Sequence, residues 1–390
     1  MGKINTTLLI SLPVVAMLAA CAAVAPAPQA APQAVVETQP TAVVQAATEA
    51  PPAAAPAATE APAAPAATEA PAPAGERASL VVAYNSPEKW ANWGEVLKSF
   101  SAKTGLQAPS DPKNSGQTLA ALKAEAAAPQ ADTAYFGIVF GIQAGDAGLL
   151  EAYQPPGFDE IPAGLKDPEG RWMTIHQGTV AFLVNTKVLG DTPVPQCWAD
   201  LLKPEYKDKV GFLDPTQAAI GYSVSTAANL ALGGTLDNWD PGIQYLAQLK
   251  ANGLQLPAQT ATALVQQGEI PILIDADFNG YQLKNNNDAP VEVVIPCEGS
   301  IAIPYVIGLV KGAPNPEGGK KLIDFVLSDE GQAMFAKSYL RPVRQVAVDP
   351  TIAEKVLPPS AYEKVIVPDF AQMRAAQEKF NERWKAEVVQ

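Results

Sequence analysis

Apolar and polar positions alternate along residues 78–390 in two patterns, one typical of buried strands and one typical of amphipathic helices. Residues 79–84 form a short apolar run that predicts a strand, and Ser86 with Pro87 favours the start of a helix that closes at Gly105. Further strands are predicted at 132–140, 178–185, 270–275, 291–295 and 304–311, and helices at 116–127, 198–203, 219–232, 241–252, 260–267 and 316–337. This alternation predicts an α/β fold with largely parallel sheets, in which pockets lie outside the carboxyl ends of strands.

The first residues follow a different pattern, which predicts an export signal. Lys3 precedes a mostly apolar stretch at 8–20, which is too short to span a bilayer as a helix and ends in Leu-Ala-Ala before Cys21. This resembles the bacterial lipoprotein signal. We therefore expect residues 1–20 to be a signal peptide and Cys21 to carry lipid, the alternative being an ordinary secretory signal with an accidental cysteine.

Residues 22–75 contain almost only Ala, Pro, Thr, Val, Gln and Glu, and they include neither a lysine nor an arginine. The near-repeat Ala-Ala-Thr-Glu-Ala-Pro occurs at 46–51, 57–62 and 66–71. Scattered prolines interrupt any helix, and no large side chains are available to build a core. We predict that 21–77 is a disordered linker that holds the folded part on the order of 40 Å from the membrane.

Composition excludes several classes of function. The net charge of -13 repels phosphate backbones, so we expect no nucleic-acid partner. One histidine cannot build a catalytic zinc site of several imidazoles, and no metal or other cofactor is expected. Residues 221–225 resemble a nucleophile elbow around Ser223 but lack its last glycine, so we expect the protein not to be an enzyme.

Two long segments carry a family resemblance. Residues 193–215 run from Pro-Val-Pro-Gln-Cys-Trp-Ala-Asp to Gly-Phe-Leu-Asp-Pro, and residues 298–332 run from Glu-Gly-Ser-Ile to Ser-Asp-Glu-Gly-Gln. They resemble type 2 periplasmic solute-binding proteins of the ferric iron, polyamine, thiamine and phosphonate group. The resemblance implies two lobes, with 78–182 and 303–390 in the first and 183–302 in the second.

The same resemblance implies two hinge crossings, near 179–187 and 297–305, and lobes that close around a solute. It also implies delivery of the solute to the permease and ATPase of an ABC importer. The predicted lipid signal would place the chain on the extracytoplasmic face of the membrane, and we expect a monomer. A sensor that reports to a membrane receptor would use the same lobes, and it remains the alternative.

Candidate binding residues of the first lobe lie where predicted strands end. Tyr84 and Asn85 leave the first strand, and Trp90 lies about one turn further on. Gln177, next to His176, stands at the first crossing. Because strand ends face the crevice of an open α/β sheet, we expect these side chains to reach the solute, whereas the alternative for Trp90 is the helix core.

Candidate binding residues of the second lobe fall into two groups. Thr216 and Tyr222 bound a predicted helix start, where free N–H groups favour an anion. The other group combines carboxylates with aromatic rings and consists of Asp275, Asp277, Tyr281, Glu298 and Tyr305. Because carboxylates and rings suit an ammonium ion, the sequence favours a polyamine-like cation. Ferric iron, an iron chelate and a phosphonate remain alternatives, although Asp277-Phe278 stands where ferric-iron proteins resembling this one carry adjacent tyrosines.

Cys197 and Cys297 remain once Cys21 is assigned to lipid. Both fall close to predicted hinge crossings, in a compartment that permits disulfides. We therefore predict that they pair, the alternative being two separate buried thiols.

Overall fold

The structure, a computed structural model, describes residues 77–257 and 261–390. The predicted signal peptide at 1–20, the predicted lipid attachment site at Cys21 and, apart from Arg77, the predicted linker lie outside the described residues. In the part that is described, no helix is long and apolar enough to span a membrane.

Two long antiparallel strands, β4 (Met173–Asn185) and β8 (Ser300–Val310), form the centre of the fold. Residues 173–179 of β4 pair with β8, whereas residues from Val180 onward pair with β6 (Ile272–Ala276). The change of partner at Val180 falls within the predicted first crossing. Every residue of β8 is buried, as expected for a strand covered on both faces.

The remaining strands extend the sheet on either side of these two. In the first lobe they are β1 (Ala83–Tyr84), β2 (Thr133–Gly137), β3 (Leu150–Glu151), β9 (Arg341–Pro342) and β10 (Val365–Ile366), and in the second lobe they are β5 (Val210–Gly211) and β7 (Val291–Val294). The main path runs β1-β2-β8-β4-β6-β5. Among the named strands of the described residues, only β1–β2, β5–β6 and β8–β10 are parallel pairs, so the expectation of largely parallel sheets was wrong. The reason is that β4 and β8 run in opposite directions and pair with most of the other strands.

Helices cover the sheets of both lobes. They are α1 (Trp93–Thr104), α2 (Ser115–Ala124), α3 (Ile138–Asp146), α4 (Thr186–Leu189), α5 (Ala219–Ala231), α6 (Asp240–Ala251), α7 (Thr262–Gln267), α8 (Asp277–Asn286), α9 (Pro316–Leu327), α10 (Asp329–Lys337), α11 (Pro350–Ala353) and α12 (Phe370–Arg383). Short 3-10 turns follow several loops, including Trp198–Leu202.

The first helix begins later than the sequence predicted. The Ser86 hydroxyl donates to the Ala83 carbonyl at 2.8 Å instead of capping a helix. Ala91 and Asn92 have positive φ angles of 50° and 62°, which no right-handed helix contains. Helix α1 therefore starts at Trp93, and residues 86–92 form a loop at the carboxyl end of β1.

The C-terminal helix α12 contacts both lobes. Arg374 pairs with Asp146 of α3 in the first lobe at 3.2 Å, and Arg383 pairs with Asp240 of α6 in the second lobe at 2.8 Å. The sequence grouped this helix with the first lobe alone. The lobe boundaries themselves stay predictions.

Candidate solute-binding cleft

A cavity of about 90 Å³ lies between the two lobes. The first lobe contributes the loop after β1 and the start of α2, and the second lobe contributes the starts of α5 and α7 and the end of β6. The lining residues are Asn85, Pro87, Lys89, Trp90, Pro112, Lys113, Asn114, Ser115, Leu213, Ala218, Ala219, Ile220, Ala261, Thr262, Asp275 and Tyr305. Four sequence-predicted residues are therefore brought together here: Asn85, Trp90, Asp275 and Tyr305.

Asn85 fixes the first-lobe wall through the backbone. Its φ angle is 63°, a left-handed conformation that asparagine tolerates better than most residues. Its side-chain amide donates to the Tyr135 carbonyl at 2.7 Å, and its backbone N–H donates to Asp111 at 3.0 Å. These bonds hold the turn that directs the following loop across the cavity.

Trp90 presents an aromatic surface to the cavity. The indole N–H donates to the Tyr135 hydroxyl at 3.1 Å. The ring meets Phe278 and Tyr305 edge to face, with centroids 5.3 and 5.6 Å apart. Because three residues hold this ring, it lies in one orientation and forms a rigid wall.

Asp275 brings a carboxylate to the second-lobe side. One carboxylate oxygen accepts from the Ala276 N–H at 2.6 Å and the Asn279 amide at 3.2 Å, while the other has no partner among the described residues. Burial raises the pKa of Asp275 to about 7. Burial, together with the negative charge of Asp275, also raises the pKa of Tyr305 well above its usual value, so the Tyr305 hydroxyl stays protonated.

Two lysines of the first lobe line the cavity. Lys113 pairs with Asp111 at 2.6 Å, and its ammonium lies 3.8 Å from the centre of the Tyr84 ring. Lys89 is exposed and, within residues 77–257 and 261–390, takes part in no ion pair. Neither lysine was predicted from the sequence. Each lies in a loop that precedes a helix of the first lobe, so a search of the loops that follow strand ends would have found them.

A helix start lies on the opposite wall. Ala218 is the N-cap of α5, and its side chain cannot accept a hydrogen bond from the first turn. The Ala218 N–H donates to the Asp214 carbonyl at 2.9 Å, whereas the Ala219 and Ile220 N–H groups have no partner among the described residues. Because residues 218–220 line the cavity, these two donors lie at its surface. The sequence placed an anion-binding helix start in this segment.

The two residues predicted to bound that helix start lie outside the lining. The Thr216 hydroxyl and N–H both donate to Asp214 at 2.8 Å. Tyr222 is buried and donates to the Met373 carbonyl of α12 at 2.7 Å. Both side chains hold the ends of the segment in place.

Three other predicted residues satisfy their polar groups away from the cavity. Asp277 pairs with Arg341 at 2.9 Å. The Tyr281 hydroxyl bonds to the Tyr362 hydroxyl at 2.5 Å. Glu298 accepts from the Trp198 N–H at 2.7 Å and the Ala199 N–H at 3.0 Å, at the start of a 3-10 turn.

Tyr84 and Gln177 also lie outside the lining. The Tyr84 hydroxyl donates to Glu125 at 3.1 Å, which turns it away from the cavity. Gln177 occupies the hinge strand, where its neighbour His176 is fully buried and bonds through Nε2 to the Tyr135 hydroxyl at 2.9 Å. Burial lowers the pKa of His176 to about 3, so the ring is neutral.

The structure contains a disulfide between Cys197 and Cys297, as the sequence predicted. It joins the 3-10 turn at Trp198 to the segment that leads into β8. The only group of three His, Cys, Asp or Glu side chains spaced for a metal, within the described part of the chain, comprises these two cysteines and Glu298. Because the disulfide occupies both sulfur atoms, this group does not form a metal site.

Comparisons with known proteins agree with this geometry. The family of bacterial extracellular solute-binding proteins matches residues 129–374. A Haemophilus influenzae protein of uncharacterised function is 31% identical over 309 residues, which cover 75% of this chain and 86% of that protein. A Salmonella typhimurium protein, provisionally named a 2-aminoethylphosphonate-binding periplasmic protein, is 33% identical over 263 residues, which cover 65% of this chain and 74% of that protein. The solved structure of periplasmic binding protein AfuA from Actinobacillus pleuropneumoniae, with fructose-6-phosphate bound, matches with a TM-score of 0.69 at 28% identity, covering 79% of this chain and 98% of that one.

The two lobes, the hinge strands and the cleft between them define a type 2 periplasmic binding protein. The chain belongs to the bacterial extracellular solute-binding protein family. It is therefore a solute-binding protein that works outside the cytoplasm. The relatives compared above are, where their names state a function, binding proteins and not enzymes.

Proposed function

We propose that the protein captures a small solute that carries both a phosphonate- or phosphate-like anion and an ammonium or hydroxyl group. The observation that supports this most directly is the mixed charge of the cavity. Lys89, Lys113 and the uncapped start of α5 supply positive potential, while the Asp275 oxygen that has no partner among the described residues supplies an acceptor. A solute with two unlike ends can satisfy both sets of groups at once.

The anionic end would lie between the lysines and the first turn of α5. Free N–H groups at a helix start bind oxyanions, and a nearby lysine adds charge. Ser115 lines the same side of the cavity. Its hydroxyl oxygen accepts from the Gly137 N–H at 3.2 Å, so its own proton remains available to an oxyanion.

The other end would lie at Asp275. An ammonium or hydroxyl group can donate to the unpaired carboxylate oxygen, and the rings of Trp90 and Tyr305 favour a cation beside them. An ammonium ion would also stabilise the charged form of Asp275, which burial disfavours.

The size of the cavity favours a small solute. About 10–15 Å³ of cavity space accommodates one water molecule, so 90 Å³ accommodates about six to nine groups of that size. This suits 2-aminoethylphosphonate, the solute in the name of the Salmonella relative. The sugar phosphate bound to AfuA shares the combination of an anion with hydroxyl groups, although it is larger.

A polyamine-like cation, which the sequence alone favoured, is the second candidate. Asp275 beside two aromatic rings supports it. Asp277, Tyr281 and Glu298 do not line the cavity, so a polyamine would find one carboxylate instead of several. Bare ferric iron receives less support, because Asp275 and Tyr305 are the only carboxylate and phenol among the lining residues.

We further propose that the chain acts as a monomer, anchored by lipid on Cys21, and that it docks on a permease served by an ATPase. Residues 193–215 and 298–332 carry the resemblance on which this rests. A permease gene and an ATPase gene beside the coding gene would favour import over sensing.

A thermal-shift comparison tests the solute class. The purified protein is heated with 2-aminoethylphosphonate, putrescine or ferric citrate, each over a range of concentrations. A solute that binds only the folded state stabilises it by about 2.7 kcal/mol at 100 times its Kd. We expect the largest shift with 2-aminoethylphosphonate. A shift with putrescine alone would replace our proposal with the polyamine candidate.

A further inference from the structure

The two lobes touch through backbone atoms beside the cavity. The Gly116 N–H, in the first turn of α2, donates to the Gln217 carbonyl just before α5 at 3.0 Å. Gly116 belongs to the first lobe and Gln217 to the second lobe. This bond therefore exists only while the lobes are close together.

Glycine at 116 is required by this contact and not by the local backbone. Its φ angle is not positive, and alanine is a better helix residue than glycine. A Cβ at this position would lie 2.5 Å from the Gln217 carbonyl oxygen. A backbone oxygen cannot swing aside as a long side chain can, so a methyl group here would hold the lobes apart.

Gly137 makes a second contact of the same kind. It is the N-cap of α3, with φ of -61° and ψ of 142°, which any residue adopts. A Cβ at Gly137 would overlap the Cβ of Ala219, the first residue of α5. Its other near neighbours, the Ala219 Cα and a Tyr305 ring carbon, would be at ordinary contact distances of 3.7 and 3.8 Å.

We propose that Gly116 and Gly137 set solute affinity by allowing the lobes to close, without touching the solute. Their missing side chains let the start of α5 approach α2 and α3 closely enough to enclose the cavity. This inference rests on the proposed function for the solute, whereas the contact between the lobes can be tested without it.

The decisive experiment uses three single variants and one double variant of the full chain. Gly116→Ala and Gly137→Ala add the obstructing methyl groups, and Gly164→Ala is the matched control because it lies in open space at an exposed 3-10 turn. The double variant combines Gly137→Ala with Ala219→Gly, which removes the methyl group that the new one would strike.

Two measurements are made on each variant. Calorimetric titration with 2-aminoethylphosphonate gives affinity, and hydrogen–deuterium exchange of segments 112–119 and 214–222 reports closure with and without this solute. We expect Gly116→Ala and Gly137→Ala to bind at least tenfold more weakly and to exchange faster in both segments, with melting temperatures no lower than that of the unaltered protein. The control should match the unaltered protein, and the double variant should recover most of the loss.

Each remaining outcome is decisive as well. The inference would be overturned if Gly116→Ala and Gly137→Ala left affinity and hydrogen exchange unchanged. It would also be overturned if the loss of affinity were explained by a lower melting temperature, or if the double variant recovered no affinity. If the unaltered protein does not bind 2-aminoethylphosphonate but the exchange differences and their recovery appear, lobe closure is supported and only the proposed solute class fails.

Discussion

The end of β6 and the start of α8 carry two carboxylates, Asp275 and Asp277, that belong to two different regions of the molecule. Asp275 lies in the cleft wall, and one of its oxygens has no partner in the part of the chain that the structure describes. Asp277 lies at the hinge, and its two oxygens accept from Thr179, Phe278, Arg341 and Tyr362 at 2.8 to 3.1 Å. The satisfied carboxylate holds the fold, and the unsatisfied one remains available to a solute.

The partners of Asp277 show why it belongs to the hinge. The Thr179 N–H belongs to the last residue of β4 that pairs with β8, and Arg341 and Tyr362 come from the returning first-lobe segment. We call Asp277, Thr179, Arg341 and Tyr362 the hinge cluster. It joins the start of a second-lobe helix to the first lobe at the point where the chain crosses.

The largest effect should come from Asp277→Asn. This change leaves Arg341 without its charged partner and removes one acceptor of the hinge cluster. We expect it to lower the free energy of unfolding by about 3 kcal/mol. This value is near the lower end for buried ion pairs, because Arg341 is partly exposed. Urea unfolding at pH 8 measures the loss. Asp275→Asn is the matched control, and an equal loss in both variants would remove the distinction between the two regions.

The next effect concerns affinity for the solute, and here the change at Asp275 should matter more than the change at Asp277. Asp275→Asn should weaken binding of 2-aminoethylphosphonate by about 10- to 100-fold, because it loses a charge-assisted hydrogen bond. Its stability at pH 8 should be no lower than that of the unaltered protein, since no charged partner is stranded and a buried charge is removed. Calorimetric titration measures this, and retention of full affinity would place the ammonium or hydroxyl end of the solute elsewhere.

An effect that is smaller per pH unit should appear in the pH dependence of stability. The folded-state pKa of Asp275, about 7, lies above its unfolded value, so the folded state binds more protons between about pH 4 and pH 7. The contribution of Asp275 to the free energy of unfolding should therefore fall as the pH rises from about 4 to about 7, by at most about 1.4 kcal/mol per pH unit.

The measurement is the difference between the unaltered protein and Asp275→Asn in urea unfolding from pH 4 to pH 8. Subtraction removes the contribution of His176, whose folded pKa of about 3 gives the opposite slope, with stability lost as pH falls from about 6.5. Parallel curves for the two proteins would show that burial does not raise the Asp275 pKa.

The smallest effect should come from Lys89→Ala. An exposed lysine contributes less than a buried group, so we expect a loss of about two- to fivefold in affinity for 2-aminoethylphosphonate and none for putrescine. Lys98→Ala is the control, because Lys98 is 76% exposed on α1 and does not line the cavity. An equal loss for both solutes would argue against Lys89 as a contact of the anion.

Local pattern was enough to predict much of the architecture. The apolar runs that became β4, β6, β7 and β8 are visible in the sequence, and the two resembling segments indicated two lobes with hinge crossings. Residues at strand ends were good candidates as well, because Asn85 and Asp275 reach the cavity by being at those ends. The late start of α1 was missed, because positive φ angles at two non-glycine residues leave no clear trace in the sequence.

The sequence by itself determined the strands β4, β6, β7 and β8, several of the helices and the class of protein, since these follow from the spacing of apolar side chains and from long family segments. Only the tertiary structure decided which carboxylate lines the cavity and which is neutralised by Arg341, a residue 64 positions away in the chain. It also decided that Gly116 meets Gln217 across the cleft. Such contacts depend on how distant segments fold together, and the spacing of residues within one segment does not encode them.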